Sequence, residues 1–440
     1  MIHQFIYVFF TVQIAIINCL NYTLYEITAF NLHERKVLYT IYTKENTVYF
    51  MNGVSNEAAI PIDVAVENQY NHAFKMKLHA YDIEYEHFSE NYNMDLDLKE
   101  KQAYPKQNDI SKEFLDWDNI VKWVDAQVKK NNNLQKIVIA KTNERRDIFI
   151  LKINNVNKKP IVFIVGGEDG KDWTSSALIL NFINIILNDG DALLLKHFDF
   201  YFVPILNPDG FVYSKTSKIH FQNRFWSKNR RTFFPPLPCL NNTTAIGVNI
   251  DRNWFFQKPT RLIDEECRGV FIGYEPLSEE ETETLSYVLN GLAINMITFI
   301  NLKGFGKFIT VPYAHKELSN NHDILMDILM SASTTVKNTY NVTYYVDTTN
   351  RFIYNFSSNM ADWVKKKLNI PIVFTLFMEH QNDFLPKPEH IQPLTQHFYT
   401  ILNETLLIAK DIYGPLFNKQ LKSLQNSIEI TMLCIVIMAY

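Results

Sequence analysis

The stretch from Pro160 to Asn188 constrains this chain most. The apolar, β-branched-rich run Ile161–Val165 lies between a Lys-Pro pair and Gly166-Gly167, and so reads as a buried strand. A turn, Glu168-Asp169-Gly170-Lys171-Asp172-Trp173, leads into a long apolar-periodic segment that reads as a helix capped by Thr174 or Ser175. Strand, tight turn and helix in succession make the repeating unit of an α/β sheet, and such sheets bind ligands at the carboxyl ends of their strands. Four charged side chains in five turn residues, beside two glycines, therefore mark the first candidate site.

The rest of the chain extends this unit. Trp117–Lys129 has helical apolar spacing, and Ile137–Ile139 and Ile148–Ile153 read as paired strands around the charged turn Asn143–Asp147. Phe198–Leu206 reads as a strand ending in the turn Asn207-Pro-Asp-Gly210. Runs at Met296–Leu302, Phe308–Pro312 and Ile370–Phe377 bring the sheet to at least five strands, and helical patterns separate most of them, so the class is α/β. Ser278–Asn290 opens with a capping-box pattern, Ser278 with Glu281, and its Glu279–Glu281 cluster reads as a solvated helix N-terminus. Upstream, short aromatic and β-branched runs between polar turns at about 21–100 predict a small α+β unit. The Lys-rich stretch Asp95–Lys112 predicts a linker open to tryptic cleavage.

Charge excludes some partners. The 43 basic and 47 acidic residues nearly balance, which leaves no electrostatic footprint for nucleic acid. Met1–Leu20 contains no Lys, Arg, Asp or Glu and reads as the apolar segment of a signal peptide, so an extracellular, secreted protein is expected. Sequons at Asn21, Asn241, Asn242, Asn341, Asn355 and Asn403 agree with that route. If Cys19 leaves with the signal, a disulfide between Cys239 and Cys267 would staple a Pro-rich and Asn/Thr-rich region, leaving Cys434 over. The apolar tail Ile428–Tyr440 is too short to span a bilayer.

Several segments, in this order, resemble the secreted zinc metallocarboxypeptidases of the A/B type. They are Leu206-Asn-Pro-Asp-Gly-Phe-Val-Tyr213 with Asn223-Arg-Phe-Trp226, then Gly247-Val-Asn-Ile-Asp-Arg-Asn-Trp254, then Phe352 through Asp362-Trp363, Phe374-Thr375 and Phe384-Leu-Pro386. The resemblance implies a mixed central sheet flanked by helices over residues 116–413, with a signal peptide at 1–20, an activation-prodomain-like unit at 21–104, a linker at 105–115 and a tail at 414–440. It also places Cys239 and Cys267 where the family has a disulfide.

The chemical positions depart from the family's. Asp169 and Asp172 stand where the first two zinc ligands, His and Glu, are expected, and Lys303 stands at the third, a His. An ammonium has three donors and no lone pair, so Lys303 is no metal ligand. Phe377 falls at the position of the general-base Glu, and a phenyl ring can neither take a proton from water nor return it to an amine. Glu379, two residues on, is the one possible substitute. Arg252 matches the carboxylate-binding Arg, with Asp251 in place of its Asn neighbour, and Tyr354 matches the mobile-loop Tyr. Lys171 keeps the charge of the family's Arg without its planar fork. Ser227 replaces an oxyanion-stabilising Arg, and Ala361 is expected at the pocket floor, favouring an apolar C-terminal side chain. Asp169, Asp172 and Lys303 are expected to form an internal ion pair where zinc would sit.

These positions predict a secreted, monomeric carboxypeptidase-like protein without zinc or peptidase activity that binds peptide or protein C-termini. An alternative is an active metallocarboxypeptidase with an acidic metal site of Asp169, Asp172 and Glu379. A third is a mainly structural glycoprotein with no peptide affinity.

Overall fold

The computed structural model describes residues 21–51, 53–55, 61–92, 109–154, 159–188, 192–216, 221–239, 244–256, 265–352, 359–378 and 386–438, the last 23 of these as backbone only. The predicted signal segment, residues 105–108 of the linker, Tyr354 and Glu379 lie outside them.

Residues 21–92 form an antiparallel sheet of order β2-β3-β1-β4, from β1 (Tyr22–Thr28), β2 (Val48–Phe50), β3 (Pro61–Glu67) and β4 (Glu84–Tyr92). Helices α1 (Leu32–Lys44) and α2 (Asn68–Ala80) cover one face. The aromatic runs at Val37–Tyr42 and from Phe74 thus lie largely in helices. Period-two alternation decides which way each strand residue points. Val64 and Val66 meet Leu38, Ile41, Phe74 and Leu78 of the helices, whereas Ala65, Tyr22 and Leu24 join the core of the larger domain.

That domain begins with α3 (Trp117–Lys130), capped by Asp116, whose side chain accepts from the Asn119 amide at 2.9 Å. Strands β5 (Leu134–Lys141) and β6 (Asp147–Ile153) follow, then β7 (Ile161–Val165), α4 (Trp173–Asn188), α5 (Ala192–His197), β8 (Asp199–Val203) and α6 (Pro208–Lys215). The second half contains α7 (Glu280–Leu292), β9 (Met296–Lys303), β10 (Phe308–Val311), α8 (His322–Tyr340), β11 (Tyr345–Thr348), α9 (Thr349–Phe352), α10 (Met360–Trp363), β12 (Ile372–Phe377) and α11 (Ile391–Met438). The eight strands run β11-β10-β12-β9-β7-β8-β6-β5. The central pairs β12/β9, β9/β7 and β7/β8 are parallel, while β10/β12, β6/β8 and β5/β6 are antiparallel.

Strand β7 is apolar throughout because both of its faces are covered. Val162 and Ile164 pack with α4, α8 and α11, and Ile161, Phe163 and Val165 pack with α7 and the Trp254–Trp363 pair. The carboxyl ends of β7, β9 and β12 therefore open at one edge of a rigid, doubly covered sheet.

Local details differ from expectation where long-range contacts intervene. Helix α4 is capped by Asp172, not by Thr174 or Ser175: its carboxylate accepts from the Ser175 amide at 3.0 Å. The capping box does not form at α7. Ser278 instead donates to Glu279 Oε1 at 2.8 Å, and Glu279 and Glu281 are buried rather than solvated. Glu279 pairs with Arg231 at 2.6 Å, and Glu281 accepts from Asn229 at 3.2 Å. The tail at 414–440 continues α11 through Pro415 to Met438. Among the described residues no helix is long and apolar enough to cross a membrane.

Candidate functional site

The turn after β7 is folded by backbone demands. Gly167 has φ +60, and a Cβ there would come within 2.8 Å of Ile205 Cα, so only glycine fits. Asn207 fastens the same turn: its amide donates to the carbonyls of Glu168 at 3.1 Å and Lys228 at 3.0 Å, and its Oδ1 accepts from the Gly210 amide at 2.9 Å. This pins Glu168, Asp169, Lys171 and Asp172 against the end of β9.

Lys303, the last residue of β9, points its ammonium into a carboxylate cluster. It forms an ion pair with Glu168, lies 3.1 Å from Asp251 Oδ1 and is 3.6 Å from Asp169 Oδ2. Glu168 also accepts from Asn301 at 2.9 Å and is in hydrogen-bonding contact with Asp251. Asp251 lies 3.4 Å from Arg252 Nε. Burial pushes the Glu168 carboxyl up to about 8, against the pull of Lys303. Burial raises Asp251 too, but there Lys303 and Arg252 win and hold it below the usual carboxylate range. For Lys303 itself burial opposes the charge, yet Asp251, Glu168 and Asp169 together hold the ammonium well above the ordinary lysine range.

Asp172 takes no part in this ion pairing. Its second oxygen accepts from the Gly304 amide at 3.0 Å, so both oxygens are spent on backbone N–H groups. Burial raises its pKa, and those two amides oppose the rise. The expected Asp169–Asp172–Lys303 ion pair is corrected accordingly, with Glu168 and Asp251 as the close partners. The sequence marks Glu168 only as one of the four turn charges; an acid following Gly-Gly at a buried strand end is the signal that singles it out.

Phe377 ends β12 opposite Lys303 in the parallel register. Its ring lies 4.3 Å from that of Phe308, which stacks on Phe352 at 4.8 Å. Gly306, with φ +136, leaves the space for this group, since a Cβ there would meet the Phe308 ring at 2.6 Å. An apolar aromatic wall thus stands beside the charged cluster.

Around both lies a pocket lined by Asp169, Lys171, Asp172, Ser227, Asn249, Asp251, Arg252, Lys303, Asn359 and Phe377, together with Tyr42, Met51 and Gly53 of the N-terminal unit. Ala361 packs in the core beneath with Trp254 and Trp363, and Asn359 lines the pocket in its stead. Lys171 is not turned to solvent. Its ammonium donates to the carbonyls of Met51 at 2.8 Å and Phe50 at 3.2 Å, and burial lowers its pKa to about 8. Tyr49 stacks on Phe225 at 5.0 Å and Arg268 donates to the Thr43 carbonyl, so the N-terminal unit covers the pocket mouth. Nothing in the sequence of Tyr42, Met51 or Gly53 foretold this, because the contact depends on how two domains dock. Tyr354 and Glu379, expected at this site, lie outside the described residues. Cys239 and Cys267 form a disulfide, with Cα atoms 5.8 Å apart.

Comparison with known proteins agrees with the fold. Residues 120–400 match the family model described as zinc carboxypeptidase. Bovine carboxypeptidase O is 28% identical over 62% of this chain and 72% of its own length. Mouse mast cell carboxypeptidase A is 25% identical over 80% of this chain and 82% of its own. The crystal structure of Helicoverpa armigera carboxypeptidase A superposes with a TM-score of 0.78 at 18% identity, covering 90% of this chain and 99% of that one. That of thrombin-activatable fibrinolysis inhibitor does so with a TM-score of 0.75 at 19% identity, covering 89% of this chain and all of that one. The chain belongs to the zinc carboxypeptidase family.

Proposed function

We propose that this family member binds peptide or protein C-termini without zinc and without hydrolysing them. The observation that carries the reading is the Lys303 ammonium among Glu168, Asp251 and Asp169. A zinc ion at this strand end needs donors with uncommitted lone pairs, and Glu168, Asp251 and Asp172 are already committed to other partners. Lys303 brings a positive charge and no lone pair, Glu168 and Asp251 already face that charge, and Asp172 spends both oxygens on backbone amides. A divalent cation would have to displace the ammonium and leave it buried beside a second positive charge. Phe377 also offers no base for water activation, which supports a binding role over a hydrolytic one.

Arg252 is the group best suited to a C-terminal carboxylate: it lines the pocket, and guanidinium matches carboxylate geometry. The aromatic wall of Phe377, Phe308 and Phe352 favours an apolar ligand side chain. Because Tyr42, Met51 and Gly53 line the same pocket, ligand access requires movement of the N-terminal unit, and cleavage within 95–112 is the simplest route to it. The apolar segment Met1–Leu20 and the Cys239–Cys267 disulfide favour a secreted protein. We expect it to act as a monomer.

Calorimetric titration of the trimmed protein with peptides ending in Phe or Leu tests the reading. Binding of the free acid and not of the C-terminal amide is expected, with the peptide recovered intact. Equal affinity for both, or none for either, refutes the carboxylate site. Stoichiometric zinc with turnover is the outcome expected of an active metallocarboxypeptidase.

A further inference from the structure

Three of the six sequons have described side chains, and the fold treats them differently. At Asn21 the amide oxygen is buried, and Thr23, 1% exposed, hydrogen-bonds Asn68 at 2.9 Å and Asn71 at 3.0 Å within the sheet unit. Asn403 is half-buried on α11, and its Thr405 is fully buried. Asn341 is the contrast. It is the exposed C-cap of α8, in the left-handed region at φ 57 and ψ 33, and its backbone amide closes the helix on the Lys337 carbonyl at 2.9 Å. Thr343 is exposed as well, while Val342 between them packs against the core that Tyr344 then enters.

From this arrangement we propose that Asn341 is an acceptor for an N-linked oligosaccharide, and that Asn403 and Asn21 are not. An oligosaccharide is bulky and hydrated, so the native fold must leave the modified amide in open solvent. Among the three, only Asn341 meets that demand. In the transfer, the Asn341 amide nitrogen forms a bond to the anomeric carbon of a lipid-linked oligosaccharide diphosphate. The carbon–oxygen bond to the diphosphate breaks, the lipid diphosphate leaves, and the amide proton passes to the transferase.

The position also protects the sheet. Asn341 lies four residues before β11, an edge strand, which pairs with β10 on one side and presents Tyr345, 66% exposed. A short edge strand is a template for pairing between chains, and a glycan at its entrance shields it.

The proposal rests on entry into the secretory route, so the test separates the two. The full chain is produced in eukaryotic cells twice, once with its own N-terminus and once behind a heterologous signal sequence. The product is treated with an amidase that converts glycosylated Asn to Asp, and its peptides are read by mass spectrometry. Conversion at Asn341, lost in Thr343→Ala, with Asn21 and Asn403 unconverted, is expected. Unconverted Asn341 in the chain carrying the heterologous signal, or conversion at Asn403 instead, overturns the assignment. Conversion only with the heterologous signal supports the acceptor and refutes natural secretion.

Discussion

Replacing Lys303 by Met tests whether its ammonium serves as the cation of the old strand-end site. At an effective dielectric of about 20, unit charges at the Lys303–Asp251 separation of 3.1 Å attract by about 5 kcal/mol, and the 3.6 Å contact to Asp169 adds nearly as much. Much of this repays the desolvation of the ammonium, so the net worth of the cluster is far smaller than the sum. Removing one partner from a buried ion cluster nevertheless costs ~3–5 kcal/mol, because the remaining charges stay buried. Two features place Lys303→Met at the low end. Asp251 retains Arg252 at 3.4 Å, and Glu168, whose carboxyl titrates near 8, is already poised to carry a proton. Denaturant unfolding followed by tryptophan fluorescence at pH 7 should show a loss of about 3 kcal/mol, shrinking toward pH 5 as the remaining carboxyls take up protons. A change below about 0.5 kcal/mol, the range of ordinary surface substitutions, would refute the internal-cation reading.

Glu168→Gln probes the same cluster through pH. The folded-state pKa is raised from 4.5 to about 8, so between those values the native chain holds a proton that the unfolded chain has lost, and stability falls as pH rises. The amide does not titrate, so thermal melts from pH 5 to 8 should show a flatter slope than the parent chain; parallel slopes would show that Glu168 is not the titrating group. Lys171→Met removes the two bonds to the Phe50 and Met51 carbonyls. About 1–2 kcal/mol of docking should go with them, read as roughly tenfold faster amide hydrogen exchange across Val48–Met51. Arg252→Ala should weaken a C-terminal Phe peptide by ~2 kcal/mol or more, about thirtyfold, and leave the amidated peptide unaffected.

Elements whose signal is local were legible in the sequence. The strand Ile161–Val165 is predicted at its observed bounds, and α3 within one residue, because an apolar run between Gly and Pro and a 3.6-residue period each have one structural reading. Helix entries were less legible. Asp172 outcompetes Thr174 as the cap of α4, and Glu279 and Glu281 are drawn into the interior by Arg231 and Asn229, partners about 50 residues away in sequence. At the site, Lys303, Asp169 and Asp251 could be placed from motif order. The choice of Glu168 over Asp172 as ion partner could not, since it depends on which carboxylate the Ser175 and Gly304 amides already occupy. The burial of Lys171 under β2 and the entry of Tyr42 into the pocket lining belong to the docking of two domains, which no local pattern encodes.

The most direct test of a zinc-free binding site is elemental analysis of the purified protein, before and after trimming within 95–112, alongside incubation with a peptide ending in Phe or Leu. A zinc-free binding site predicts substoichiometric zinc in both forms and intact peptide. One zinc per chain together with release of the C-terminal residue would contradict it.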